Sequence, residues 1–172
     1  VIKIAAGKTL DLKSQGSTTL PTGSVLQVVT TSTTTETVLS AGAANQTIFY
    51  DIAGLSVAIT PTSTSSKILV SATVSFSNKT DAYNAFLGLH RGSTRINSGQ
   101  ADAGHRSFST NQTTTSTFSA LDSPNTLSPT TYSVKGCNSG GTVYPSYINR
   151  SETNGSWELD MVSTITLMEI QG

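Results

Sequence analysis

Acyl-transfer chemistry on a protein scaffold needs a nucleophile, a base within hydrogen-bond reach and donors for an oxyanion. The chain offers two histidines, His90 and His105, and 26 serines, but no Gly-x-Ser-x-Gly elbow. With so many serines, one lying near a histidine in sequence carries no weight. His90 closes a strand-like stretch before Arg91-Gly92, and His105 sits in the polar stretch Asp102-Ala103-Gly104-His105-Arg106. Neither has a ligand set around it, and both are expected to be surface or interface histidines. Glycoside hydrolysis needs two carboxyl groups flanking one bond. Ten Asp and Glu are present; Asp51, Asp81, Asp102 and the group within 152–160 form no such pattern. A calcium loop of alternating aspartates is absent. The stretch Gly136 to Gly141 is glycine-rich but lacks the Lys-Ser/Thr ending of a phosphate loop. Cys137 stands alone, which removes an intrachain disulfide and a cysteine zinc cluster. It is expected to be a free thiol in the turn 135–141. These residues point to a non-enzymatic chain with no cofactor and no metal site.

Five Asn-x-Ser/Thr sequons occur, at Asn45, Asn78, Asn111, Asn149 and Asn154. In a chain this rich in hydroxyls several arise by chance, so they say little about glycosylation.

Composition explains where the polarity has gone. Only 12% of residues are charged, ten Lys and Arg against ten Asp and Glu, giving zero net charge. Such a balance leaves no footprint for nucleic acid and no polybasic membrane patch. Serine and threonine together supply 55 of 172 residues, and hydrophobic residues 35%. The length suits one domain with an adequate core. No run of eighteen apolar residues exists to span a bilayer, and no signal peptide is recognisable. The opening Val1-Ile2-Lys3-Ile4 reads as a processed product or a part of a longer chain.

The elements that must position any site are strands. Thr, Ser and Val disfavour helix, through competition for backbone hydrogen bonds and restricted χ1. Over 67–77 the apolar Ile68, Val70, Ala72, Val74 and Phe76 alternate with Leu69, Ser71, Thr73, Ser75 and Ser77. Period 2 predicts a strand with one face on a core and the other mostly in water. The same logic predicts strands over 25–31, 47–51, 55–59, 83–89, 114–121, 131–134, 143–148 and 162–170. Turn chemistry lies between them at Ala53-Gly54, Thr60-Pro61-Thr62, Arg91-Gly92-Ser93, Asp122-Ser123-Pro124-Asn125 and 136–141. Residues 24–172 are therefore expected to form one all-β domain, an antiparallel, jelly-roll-like sandwich of eight to ten strands. Residues 1–23 read as an extended arm or the end of a shaft, joined through Leu20-Pro21-Thr22-Gly23.

Several phrases carry a resemblance. They are Leu20-Pro21-Thr22-Gly23-Ser24-Val25-Leu26-Gln27-Val28-Val29, Gly54-Leu55-Ser56-Val57-Ala58-Ile59-Thr60-Pro61 and Ser63-Thr64-Ser65-Ser66-Lys67-Ile68-Leu69-Val70. Others are Leu121-Asp122-Ser123-Pro124-Asn125-Thr126, Tyr147-Ile148-Asn149-Arg150-Ser151 and Ser163-Thr164-Ile165-Thr166-Leu167-Met168-Glu169-Ile170. In this order they resemble the C-terminal head domains of tail fibres and of capsid fibre or decoration proteins from marine bacteriophages, cyanophages included. The resemblance runs from Leu20 to the end. It implies a virion structural protein on the particle surface, a homotrimer with a β-sandwich head, whose partners are other virion proteins or the host surface.

Adjacent apolar residues also point to assembly: Phe86 beside Leu87, and Leu167 beside Met168, leave apolar surface once one core is filled. The loops 98–111 and 136–154 are the expected recognition surfaces, because loops carry function more freely than strands. The first offers Gln100, Asp102, His105 and Arg106; the second offers Asn138, Tyr144, Tyr147 and Arg150. Their polar, weakly charged character suits hydrogen bonding to a host-surface glycan or to a neighbouring virion protein. A carbohydrate-binding module or adhesin would instead need an aromatic platform, for which Tyr144, Tyr147 and Trp157 are the candidates.

Overall fold

The computed structural model describes residues 20–40, 48–80, 84–97, 113–140, 142–152 and 161–172, and 103–105 by their backbone. Eleven strands are described: β1 (Val25–Thr33), β2 (Thr37–Leu39), β3 (Tyr50–Ile59), β4 (Lys67–Asn78), β5 (Ala85–Arg91), β6 (Thr94–Arg95), β7 (Ala103–His105), β8 (Thr113–Asp122), β9 (Thr130–Asn138), β10 (Ser146–Ile148) and β11 (Ser163–Ile170).

The alternation in β4 does what its period requires. Ile68, Val70, Ala72, Val74 and Phe76 point inward and are essentially inaccessible to solvent. One edge of β4 pairs with β8 without a break, from Ile68↔Asp122 to Ser77↔Thr113. The other edge is shared: β11 takes Lys67 to Thr73 and β10 takes Phe76 to Asn78. Beyond them lie β1 on β11 and β2 on β10. The second sheet runs β3, β9, β5, with β6 and β7 sharing the far edge of β5. All pairings are antiparallel, and the long strands alternate between the two sheets along the chain. The fold is a jelly-roll-like β-sandwich. Its core adds Leu39, Ile52, Leu55, Ile59, Leu87, Leu89, Tyr132, Val134, Ile148, Ile165 and Leu167 to the β4 residues.

Three polar clusters hold the sandwich together. Tyr132 on β9 donates to Asp122 Oδ2 at 2.7 Å, and Arg91 on β5 donates to the same oxygen at 3.0 Å, so β8 is tied to the opposite sheet. Burial and then the Asp122 bond push the Tyr132 hydroxyl well above the ordinary phenol range. At the junction where the edge of β4 passes from β11 to β10, Asn149 adopts a left-handed φ of 58°. Its amide donates to the Thr33 and Thr35 carbonyls at 3.1 Å, and its Oδ1 accepts from Ser163 at 2.6 Å. Finally, Glu169 is fully buried yet accepts bonds from Gln27 Nε2 at 2.6 Å and from the Thr62 amide and hydroxyl at 2.7 and 2.8 Å.

Several expectations are corrected. The stretches 47–51 and 55–59 are not two strands around a turn at Ala53-Gly54. From Tyr50 onward they form one strand, β3, whose register jumps from Asp51↔Lys135 to Ser56↔Ser133. The bulge arises because Ile52 and Leu55 both insert into the core while Gly54 takes a φ of 79°. The strand expected at 131–134 continues to Asn138, because Gly136 lets the side chain of Leu39 pass. Cys137 therefore lies in a strand opposite Phe86, fully buried, not in a turn. The strand expected at 143–148 is confined to Ser146–Ile148 after Pro145. Strands β2, β6 and β7, too short to show a period, raise the number above the eight to ten expected. Most of the expected arm, residues 1–19, lies outside the described residues; the Ser24 amide closes a turn by donating to the Pro21 carbonyl at 3.0 Å, and the Gly23 amide donates to the Gln171 carbonyl at 2.8 Å.

Glu169 generates a pH-dependent expectation. Burial alone would raise its pKa, but the bonds from Gln27 and Thr62 outweigh it and hold the carboxyl below its ordinary range. A lowered folded value stabilises the protein above the unfolded pKa, and that contribution is lost as pH falls through the folded value. Glu169→Gln is expected to lose about 2 kcal/mol near neutrality. Urea unfolding should show the gap between variant and wild type closing on acidification below about pH 4; a constant gap would contradict this assignment.

Candidate functional site

Of the expected recognition residues only some are described. Gln100, Asp102, Arg106 and Trp157 lie outside the described residues, and His105 is placed by its backbone alone, opposite Ala85. Tyr144 is exposed in the turn before β10, where its carbonyl accepts from Asn138 Nδ2 at 2.8 Å. Tyr147 and Arg150 are brought together: the guanidinium stands 4.3 Å from the ring centroid. The same guanidinium lies 3.4 Å from Glu36 and donates to the Ser151 and Glu152 carbonyls. Its register with Ser77 and Val38 puts Tyr147 on the outer face of the first sheet, where the guanidinium covers the ring. Of the sequons, Asn78 and Asn149 are buried and hydrogen-bonded, which denies both to a glycosyl donor.

His90 is likewise not on the surface. It is 5% exposed, its ring 5.4 Å from that of Phe49, and its Nδ1 faces the Gly88 carbonyl at 3.3 Å. Burial pushes its pKa below the ordinary imidazole range; the Gly88 bond opposes this, while Lys135 and Arg95 add to it. Arg95 in turn lies 4.8 Å over the Phe49 ring. Among the described residues no group of three His, Cys, Asp or Glu is placed to hold a metal ion.

Two surfaces carry chemistry instead. The first is the outer face of the first sheet. Strand registers align Val28, Met168, Leu69 and Leu121 into one apolar row across β1, β11, β4 and β8. Val28 is 54% and Leu121 57% exposed. The next two rows are Thr30, Thr166, Ser71 and Ser119, then Ser32, Thr164, Thr73 and Thr117. Hydroxyls bridge strands within them, Thr30 to Thr166 and Thr73 to Thr117, each at 3.0 Å. None of these twelve positions is charged. Of the two apolar pairs expected to remain open, only Met168 does so, since Phe86, Leu87 and Leu167 are all buried.

The second is a groove of about 500 Å³ on the outer face of the second sheet, beside the β3 bulge. Ser56, Thr131 and Ser133 line it with the ion pair of Lys135 and Asp51, Nζ to Oδ1 at 2.9 Å. Gly54 forms part of its wall and is pinned from behind, since a Cβ there would lie 2.5 Å from Thr33 Oγ1. Sequence reasoning missed this groove. Asp51 was visible only as an unpatterned carboxylate, and its partner Lys135 is set by a register that the bulge displaces.

No protein-family model matches the chain, and no curated protein matches its sequence.

Gly54 makes the bulge testable. Gly54→Ala would combine a left-handed φ with a collision against Thr33, and a loss of about 2 kcal/mol in chemical denaturation is expected. An unchanged unfolding midpoint would mean that the bulge is not built in this way.

Proposed function

We propose that the chain is a non-enzymatic structural protein of a bacteriophage virion, a trimeric fibre head that contacts the host surface. The observation that carries this reading is the outer face of the first sheet. An apolar row with two uncharged hydroxyl rows along one side, and Val25, Ile170 and Lys67 along the other, is costly to leave in water and carries one charge at its border. Other copies of the chain offer the same apolar and hydroxyl surface to close against it. Four strands about 4.8 Å apart and eight residues of about 3.3 Å rise give a face of roughly 500 Å². That falls short of the roughly 800 Å² per partner of a stable pair. A three-fold ring, the assembly that the sequence resemblance implies, divides this face between two neighbours, so contacts beyond the face must supply the rest. The jelly-roll-like sandwich is also the head architecture that the sequence resemblance implies.

Placement on a capsid as a decoration protein is the close variant, and quantitative mass spectrometry of particles separates many copies from few. A carbohydrate-binding module with an aromatic platform is the reading from another class; of its three candidate residues, Tyr147 is covered by Arg150.

Sedimentation equilibrium at micromolar concentration is expected to return three times the 17.9 kDa chain mass. The double variant Val28→Glu with Leu121→Glu should sediment as a folded monomer, with its β-sheet circular dichroism intact. A monomeric wild type would remove the trimer from the reading.

A further inference from the structure

We propose that the groove on the second sheet is a binding site for a neutral saccharide, recognised by hydrogen bonds without an aromatic platform. The groove is built into a strand. Ile52 and Leu55 anchor the bulge in the core on either side of Gly54, and Thr33 fills the space behind it. A ligand therefore meets a preformed wall and need not order a loop, which lowers the entropic cost of binding.

The chemistry of the lining selects the ligand class. Asp51 and Lys135 balance one another, so the groove has no net charge to offer. A phosphate or sulfate attracted by Lys135 would be repelled by Asp51, only 2.9 Å away. A polyol suits both. The Asp51 side chain is 78% exposed and has acceptor capacity beyond its one bond to Lys135. One hydroxyl of a vicinal pair can donate to that carboxylate while its neighbour accepts from the ammonium. The exposed hydroxyls of Ser56 and Thr131 both donate and accept, matching further ring hydroxyls. A volume of about 500 Å³ lies within the range of small-molecule sites and admits one or two sugar rings. The groove also lies on the sheet opposite the apolar row. An assembly sealed through the first sheet leaves it facing solvent, a point that rests on the proposed trimer; the site itself does not.

The test is a TROSY amide titration of the intact chain with methyl pyranosides of glucose, mannose, galactose and N-acetylglucosamine, with inorganic phosphate run alongside. At least one sugar is expected to shift the Ala53, Gly54 and Gly92 amides at millimolar concentration. Asp51→Asn, an exposed change that leaves the fold intact, should weaken that binding about tenfold. The proposal is overturned if no sugar moves these amides, if phosphate moves them more than any sugar does, or if Asp51→Asn binds like wild type. Sedimentation of the same samples keeps the two readings apart. A monomer that binds sugar contradicts the assembly and leaves the site standing, whereas a trimer that binds none does the reverse.

Discussion

Strand β4 is the constraint on which the rest of the molecule depends. It is hydrogen-bonded along both edges, to β8 on one side and to β11 and β10 in succession on the other. Its five inward residues form the floor of the core. A slip of one residue would turn Ile68, Val70, Val74 and Phe76 to solvent and bring Ser71, Thr73, Ser75 and Ser77 into the core. The same register decides what the outside looks like. Once β4 is fixed, Leu69 must stand between Met168 and Leu121, and Ser71 between Thr166 and Ser119. Core and outer face are thus two consequences of one alternation.

Hydroxyl-rich strands raise a specificity problem, since Ser and Thr suit either face of a sheet. The buried polar clusters resolve it by making only one arrangement fully satisfied. Glu169 holds β1 and the β3–β4 connection to the end of β11; Asp122 holds β8 to β5 and β9 across the core. Asn149 fills the seam between β10 and β11, where the sheet would otherwise expose unpaired backbone. With sheet positions fixed in this way, the two outer faces diverge. One is hydroxyl-rich and partly apolar with few charges, and the other carries a groove that holds the Asp51–Lys135 ion pair.

How much of this is legible in the sequence depends on how local the information is. The alternation of β4 and β11 is visible residue by residue, so the sandwich class follows from it. The bulge in β3 is not visible, because Ile52 and Leu55 both point inward across a Gly54 that otherwise reads as a turn residue. His90 looks solvent-exposed beside Arg91-Gly92, yet Phe49, far away in sequence, covers it. The apolar row is the clearest case. Val28, Leu69, Leu121 and Met168 are each an unremarkable outward-facing residue until the registers of four strands place them side by side. The groove has the same origin, joining β3 to β9 through a register that no local pattern encodes.

The central claim, that the outer face of the first sheet is closed between copies, has an internal probe. The chain has two methionines, Met161 and Met168, both half-buried in the single chain. Met168 sits in the apolar row and Met161 lies just before β11 begins. Peroxide converts an accessible thioether to its sulfoxide, and peptide mass spectrometry reads the two sites separately. In the native assembly Met168 is expected to oxidise far more slowly than Met161, with the difference disappearing in denaturant. Equal rates in the native protein would show that this face stands open to water and would contradict the account.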